Sequence, residues 1–220
     1  MNGITSGTAL WYASRATGVV SLVLLSAVVI IGILISRQGP RRGAPGGRPP
    51  GSAQPGLPRF AVLGLHRNLS LLAVAFVAVH VLTAVADSFV SISLAAAVIP
   101  FVSSYEPLWL GLGAVSLDLM AAVIVTSLLR GYLGRRTWRA VHWLAYVSWP
   151  VAVVHSVYSS RDLQSGPLLY LTLAAIAAVL TALGWRLAAA RAVPPRAHRV
   201  RELMAEPQMA EPQMARAGER

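Results

Sequence analysis

The sequence predicts an all-α integral membrane protein: a bundle of five transmembrane helices with its N-terminus outside and its C-terminus in the cytoplasm. Three observations carry that reading. Of 220 residues, 55% are hydrophobic and 12% charged, and the mean hydropathy is +0.61, too apolar for an ordinary water-soluble domain. Several apolar runs reach the length of about 20 residues that a hydrocarbon core of about 30 Å requires. The arginines cluster after the first, third and fifth runs and leave the other connections nearly free, so the positive-inside rule puts those three on the cytoplasmic side. The net charge of +11 is thereby divided among helix ends and makes no single patch of the kind that binds nucleic acid. Membrane lipid is the expected surrounding, and a cell membrane, that of a bacterium, the expected location. Lysine and cysteine are both absent. Without cysteine there is no disulfide, no thiolate ligand, no cysteine-held iron–sulfur cluster and no Cys₂His₂ zinc site.

Residues 1–36 comprise the N-terminal segment and the first span, about Leu10 to Ser36. That run is too long for a cleaved leader and lacks its basic start. Arg15 falls one turn inside it, a costly place for a charge. It either snorkels to the interface or meets an anionic group there. Residues 37–65 form a basic cytoplasmic loop, with Arg37, Arg41, Arg42, Arg48 and Arg59 set among Pro and Gly, a composition that predicts disorder.

The region 66–190 carries the other four spans: about His66 to Phe89, Leu108 to Leu129, Thr137 to Tyr158 and Pro167 to Ala190. Ser91 to Val102 reads as a short interfacial or re-entrant piece. Asp118 lies near mid-depth in the third span and is expected to be protonated and bonded to a neighbouring helix. Residues 191–220 form a cytoplasmic tail with Met-Ala-Glu-Pro-Gln in tandem (Met204 to Gln208, Met209 to Gln213), a low-complexity pattern that predicts disorder. His198 lies in that tail and is no membrane ligand.

Four of the five histidines fall as two pairs. His66 and His80 are 14 residues apart on the second span, and His142 and His155 are 13 apart on the fourth. At about 1.5 Å per residue each pair covers roughly 20 Å along its helix. Both helices run from inside to outside, so His66 and His142 share an inner level, and His80 and His155 an outer one. Two imidazoles on one haem iron leave no open position, which suits electron transfer. Zinc, the rival metal, needs ligands within a few ångströms, so the two members of one helix cannot share an ion.

Helical phase raises an objection. Fourteen steps of about 100° return His80 to within roughly 40° of His66, whereas thirteen leave His155 about 140° from His142. Pro150 lies between them and is expected to kink or rewind the helix. Arg67 beside His66, and Arg139 one turn before His142, sit where the carboxylates of an inner haem would need cations, and equally where positive-inside flanking puts arginines. Trp138, Trp143, Trp149 and Tyr146 can cover a porphyrin face or serve as interface and packing residues.

The two histidine spacings, on one span and on the second span after it, with an arginine in the preceding helix, resemble the ferric reductase-like transmembrane domain. That superfamily includes NADPH oxidases, ferric-chelate reductases and the haem-binding membrane subunit of the methionine sulfoxide reductase system. The resemblance covers about residues 9 to 190. It implies two non-covalent b-type haems, one held by His66 and His142 and one by His80 and His155, with Arg15 near the outer one. It also implies electron transfer from a separate cytoplasmic flavoprotein or quinol donor to an extracytoplasmic acceptor such as a partner reductase. NADPH oxidases add a further N-terminal helix and a large flavin and nicotinamide module. About 30 residues follow the fifth span here and show no Gly-rich phosphate loop, so the chain is expected to serve as an oxidoreductase subunit that needs a flavin or quinone donor on its inner side. A haem-free membrane scaffold with histidines in packing roles is the alternative.

Overall fold

A computed structural model describes residues 2–35, 58–88, 90 and 92–191. Of the basic loop expected to be disordered over 37–65, residues 37–57 lie outside the described residues, as does the repeat-bearing tail, whereas residues 59–65 are helical. Among the described residues every regular element is helical: α1 (Asn2–Ile35), α2 (Arg59–Ala86), α3 (Leu94–Val98), α4 (Pro107–Leu128), α5 (Arg135–His142), α6 (Leu144–Ser159) and α7 (Gly166–Arg191). Short 3₁₀ turns follow α4 at Leu129–Gly131 and α6 at Arg161–Gln164. Five stretches are long and apolar enough to cross a membrane: Thr8–Ile35, Phe60–Ala86, Pro107–Gly131, Arg135–Ser159 and Gly166–Ala189. That is the mark of a multi-pass membrane protein, and large side chains such as Leu71, Leu82 and Leu128 stay exposed on these helices, as lipid contact allows.

The second span starts earlier than the apolar pattern indicated, at Arg59 instead of His66. Pro58 holds ψ at 144°, outside the helix, and its carbonyl accepts from Ala61 and Val62 (2.9 and 3.2 Å). A proline in extended conformation thus sets the start, as its fixed φ favours. His66 consequently sits two turns inside α2, not at its first residue.

The fourth span is broken. Trp143 separates α5 from α6, and its N–H is shared among the carbonyls of Arg139, Ala140 and Val141. Tyr146 N–H bonds back to the Trp143 carbonyl at 3.0 Å, an i→i−3 link. The break lies seven residues before Pro150, which α6 accommodates within its length. Between α2 and α4, Ser93 caps α3 by accepting from Ala96 N–H (3.2 Å). Phe101 and Glu106 adopt left-handed backbone (φ 66° and 42°), which is uncommon for residues with a Cβ, and Pro107 then opens α4 at the first helical position.

Two contact-defined units divide the chain, Met1–Ala182 and Leu183–Arg220. In the first, α1 packs on α2 and α6, and α4 packs on α6, α3 and α5. Its core joins Leu22, Trp149, Val153, Leu163 and Val179. Trp149 donates its indole N–H to Ser26 Oγ at 2.9 Å, tying α6 to α1, and Ser26 donates in turn to the Leu22 carbonyl at 2.7 Å. Ser116 and Ser148 each donate to the other's carbonyl at 3.1 Å, tying α4 to α6. These bonds satisfy hydroxyls that hydrocarbon would leave unpaired. The second unit contributes, among the described residues, the last turns of α7.

Candidate metal centre

The inward course of α2 and α6 brings His80 and His155 together, with ring centroids 6.4 Å apart and planes at 67°. His80 Nδ1 lies 2.8 Å from the Ser14 carbonyl of α1, and His155 Nδ1 lies 2.8 Å from the Trp109 carbonyl of α4. A carbonyl only accepts, so each Nδ1 carries the proton and each Nε2 carries the lone pair that can bind a metal. Fixing a ligand imidazole through its second nitrogen is the usual way proteins orient metal-binding histidines.

Both rings line a cavity of about 670 Å³, within the range of about 300–1,000 Å³ that holds drug-sized or cofactor-sized ligands. Its walls are mainly aliphatic, with Leu22, Leu25, Val77, Leu117 and Met120 among them, and Ser14, Arg15 and Ser160 supply polar groups toward one end. Among the described residues no group of three His, Asp or Glu side chains converges as a cage for an ion. The donor set here is two imidazoles, which suits a metal whose remaining ligands come from a macrocycle, and in that sense the residues present fit a haem.

The other level, that of His66 and His142, is built differently. Nδ1 of each ring is buried without a hydrogen-bond partner, and the His66 ring adjoins the Val28 carbonyl of α1. Trp138 stacks on His142 at 5.0 Å and 22°, and the Arg130 guanidinium lies 4.7 Å from the same indole ring. The phase objection to His142 and His155 is met in part at Trp143: i→i−3 links turn the chain by about 120° per residue in place of 100°, so each recovers roughly 20° of the shortfall.

Arg15 lines the outer cavity, but its guanidinium is bound by the Asp162 carboxylate, with Ser160 Oγ at 3.3 Å and the Trp11 ring at 4.0 Å. An acid in the connection after α6 thus holds a charge that sequence alone could assign only to the interface or to a cofactor. Arg67 and Arg139 are exposed, and the cation at the Trp138–His142 stack is Arg130. Trp149 is a core residue bonded to Ser26, Trp143 is 52% exposed, and Tyr146 packs on Trp143. Asp118 faces outward on α4 and has no hydrogen bond to a neighbouring helix among the described residues. Three contributors went unread in the sequence: the Ser14 and Trp109 carbonyls, and the glycines on which the histidine rings rest.

No family model matches the chain, and comparison with curated proteins and with solved structures returns no match.

Proposed function

We propose that this chain is a membrane b-type cytochrome, similar to ferric reductase-like transmembrane domains, that carries electrons through two bis-histidine haems from a cytoplasmic flavoprotein or quinol to an extracytoplasmic acceptor. The observation that supports it most is the outer pair: two histidines from different helices, 6.4 Å apart, each with Nδ1 on a backbone carbonyl. When bound, haem supplies a one-electron couple whose potential the axial ligands and surroundings set. His80 and His155 would hold the outer group, and with both imidazoles bound the metal would offer no open position to oxygen or substrate. His66 and His142 hold the inner one, with Trp138 against His142 and Arg130 as the nearby cation.

Arginine placement supports an orientation for this relay: Arg130, Arg135, Arg136 and Arg139 lie near His142 in sequence, as the positive-inside rule expects of a cytoplasmic end, and on this reading the C-terminus is cytoplasmic and the N-terminus outside a bacterial plasma membrane. Absorbance spectra of the purified protein, with a pyridine haemochrome assay, test the reading. A Soret band with two b haems per chain is the expected result. A value near one would remove the role assigned to one pair, and protein that remains colourless after expression with added haem would establish the scaffold alternative.

A further inference from the structure

We infer that Gly18 and Gly113 are positioning residues for the outer metal centre: each is the seat on which one ligand imidazole lies, and the two together set the angle between the rings. The inference rests on the haem reading above. A Cβ built at Gly113 would stand 2.7 Å from His155 Cε1, 2.8 Å from Nδ1 and 3.0 Å from Nε2. One at Gly18 would stand 3.0 Å from His80 Cε1 and 3.1 Å from Nδ1. Carbon atoms make comfortable contact at about 3.5–4.0 Å, so Gly113 admits no methyl while the ring stays in place, and at Gly18 the ring would have to give by a few tenths of an ångström. At both positions only hydrogen lets the imidazole approach the neighbouring backbone closely enough to reach its carbonyl partner, Ser14 on α1 for His80 and Trp109 on α4 for His155. Each seat lies four residues beyond its carbonyl, one turn along the same helix, so carbonyl and glycine act on one ring from adjacent turns.

A register on α1 supports this. Gly18 and Gly32 are 14 residues apart, the same interval as His66 and His80. Gly18 meets His80 and Gly32 meets His66, as antiparallel helices require. The inner member is looser: a Cβ at Gly32 would lie 3.5 Å from His66 Cε1, an ordinary contact. The two levels are therefore built to different tolerances, and the outer pair alone has its ring planes, at 67°, fixed from both sides.

The test uses the full-length protein in detergent, loaded with haem, with Gly113→Ala, Gly18→Ala and Gly32→Ala compared against Gly131→Ala, whose added Cβ meets nothing within 4 Å. Haem content, a potentiometric titration and the ferric EPR spectrum are the readouts, because low-spin bis-imidazole haem reports the angle between its ligand planes in its g-anisotropy. Wild-type protein should give two low-spin signals, one of them with the large anisotropy of strongly non-parallel planes. Gly113→Ala should lose or shift that signal and its redox step while the other persists. Gly18→Ala should do the same to a smaller extent, and Gly32→Ala should match the control. If Gly113→Ala does not fold, judged by helical content and elution, Gly18→Ala reads the same centre through its other ligand. Unchanged signals in both outer variants, or a larger effect from Gly32→Ala, would overturn the inference. Colourless wild-type protein would instead overturn the haem reading beneath it.

Discussion

The bond between Trp149 and Ser26 is where α6, the helix of His155, is tied to α1, the helix that offers His80 its carbonyl and seat. Trp149 is 9% exposed and Ser26 3%, and the indole N–H meets the hydroxyl oxygen at 2.9 Å. Replacing Trp149 by Phe removes the donor and leaves a partial void, costing about 2 kcal/mol, from a hydrogen bond of about 0.5–1.5 kcal/mol and a lost ring volume of similar weight. Ser26→Ala leaves the indole N–H unpaired in an apolar core, about 1–2 kcal/mol. Interhelical bonds in membrane proteins average about 0.6 kcal/mol with a ceiling near 1.7, so the double variant should fall short of the sum of the singles by about 1 kcal/mol. For a chain of this size Trp149→Phe alone should lower the midpoint by about 4–8 °C. Loss of helical signal in a denaturant titration, run on all four members of the cycle in detergent, measures the coupling. Single effects that add within about 0.3–0.5 kcal/mol would mean the bond carries no coupling and the tie between the two helices lies elsewhere.

Replacing His142 should abolish reduction of the outer haem by a donor added to the cytoplasmic side of oriented vesicles, whereas replacing His155 should leave the inner haem reducible from that side and stop transfer to an external acceptor. Outward electron flow at the normal rate in a His142→Ala variant would refute the relay. The Arg15–Asp162 pair is 31% and 51% exposed, so Asp162→Asn should cost no more than about 1 kcal/mol and less as salt rises; a loss of several kcal/mol in thermal unfolding would mark the pair as buried and structural. Deleting residues 204–220 should leave the haem spectrum unchanged, because the four candidate ligands lie between 66 and 155, and haem loss on that truncation would count against the assignment.

The five spans were legible because apolar runs of sufficient length report themselves without reference to neighbours. The meeting of His80 with His155 was legible for a similar reason: spacing along a helix converts directly to position along its axis. What escaped was everything decided between helices. The Ser14 carbonyl and Gly18 matter only once α1 lies against α2, and Asp162 finds Arg15 across 147 residues of chain. The start of α2 was misplaced because the apolar run from Phe60 to Leu65 was taken as loop, although Pro58 just ahead of it is the stronger boundary signal. Pro150 drew attention as the obvious helix breaker, yet the break falls at Trp143, where nothing in the residue type announces it. Asp118 was expected to point inward because a mid-span acid generally does, and its outward face on α4 depends on a rotation that the α4 sequence alone leaves open.

The interruption at Trp143 has a mechanical consequence. His142 is the last residue of an eight-residue segment, whereas His155 lies deep in a separate helix pinned at Ser148 and Trp149. The two candidate ligands of the fourth span therefore belong to separate helical segments joined at one residue, and among the described residues only the second segment carries the hydrogen bonds to α1 and α4. The first segment, bordered by Arg130, Arg135 and Arg136, packs on α4 and carries the Trp138–His142 stack as one unit, so a substitution at the joint should reorient that stack before it moves His155.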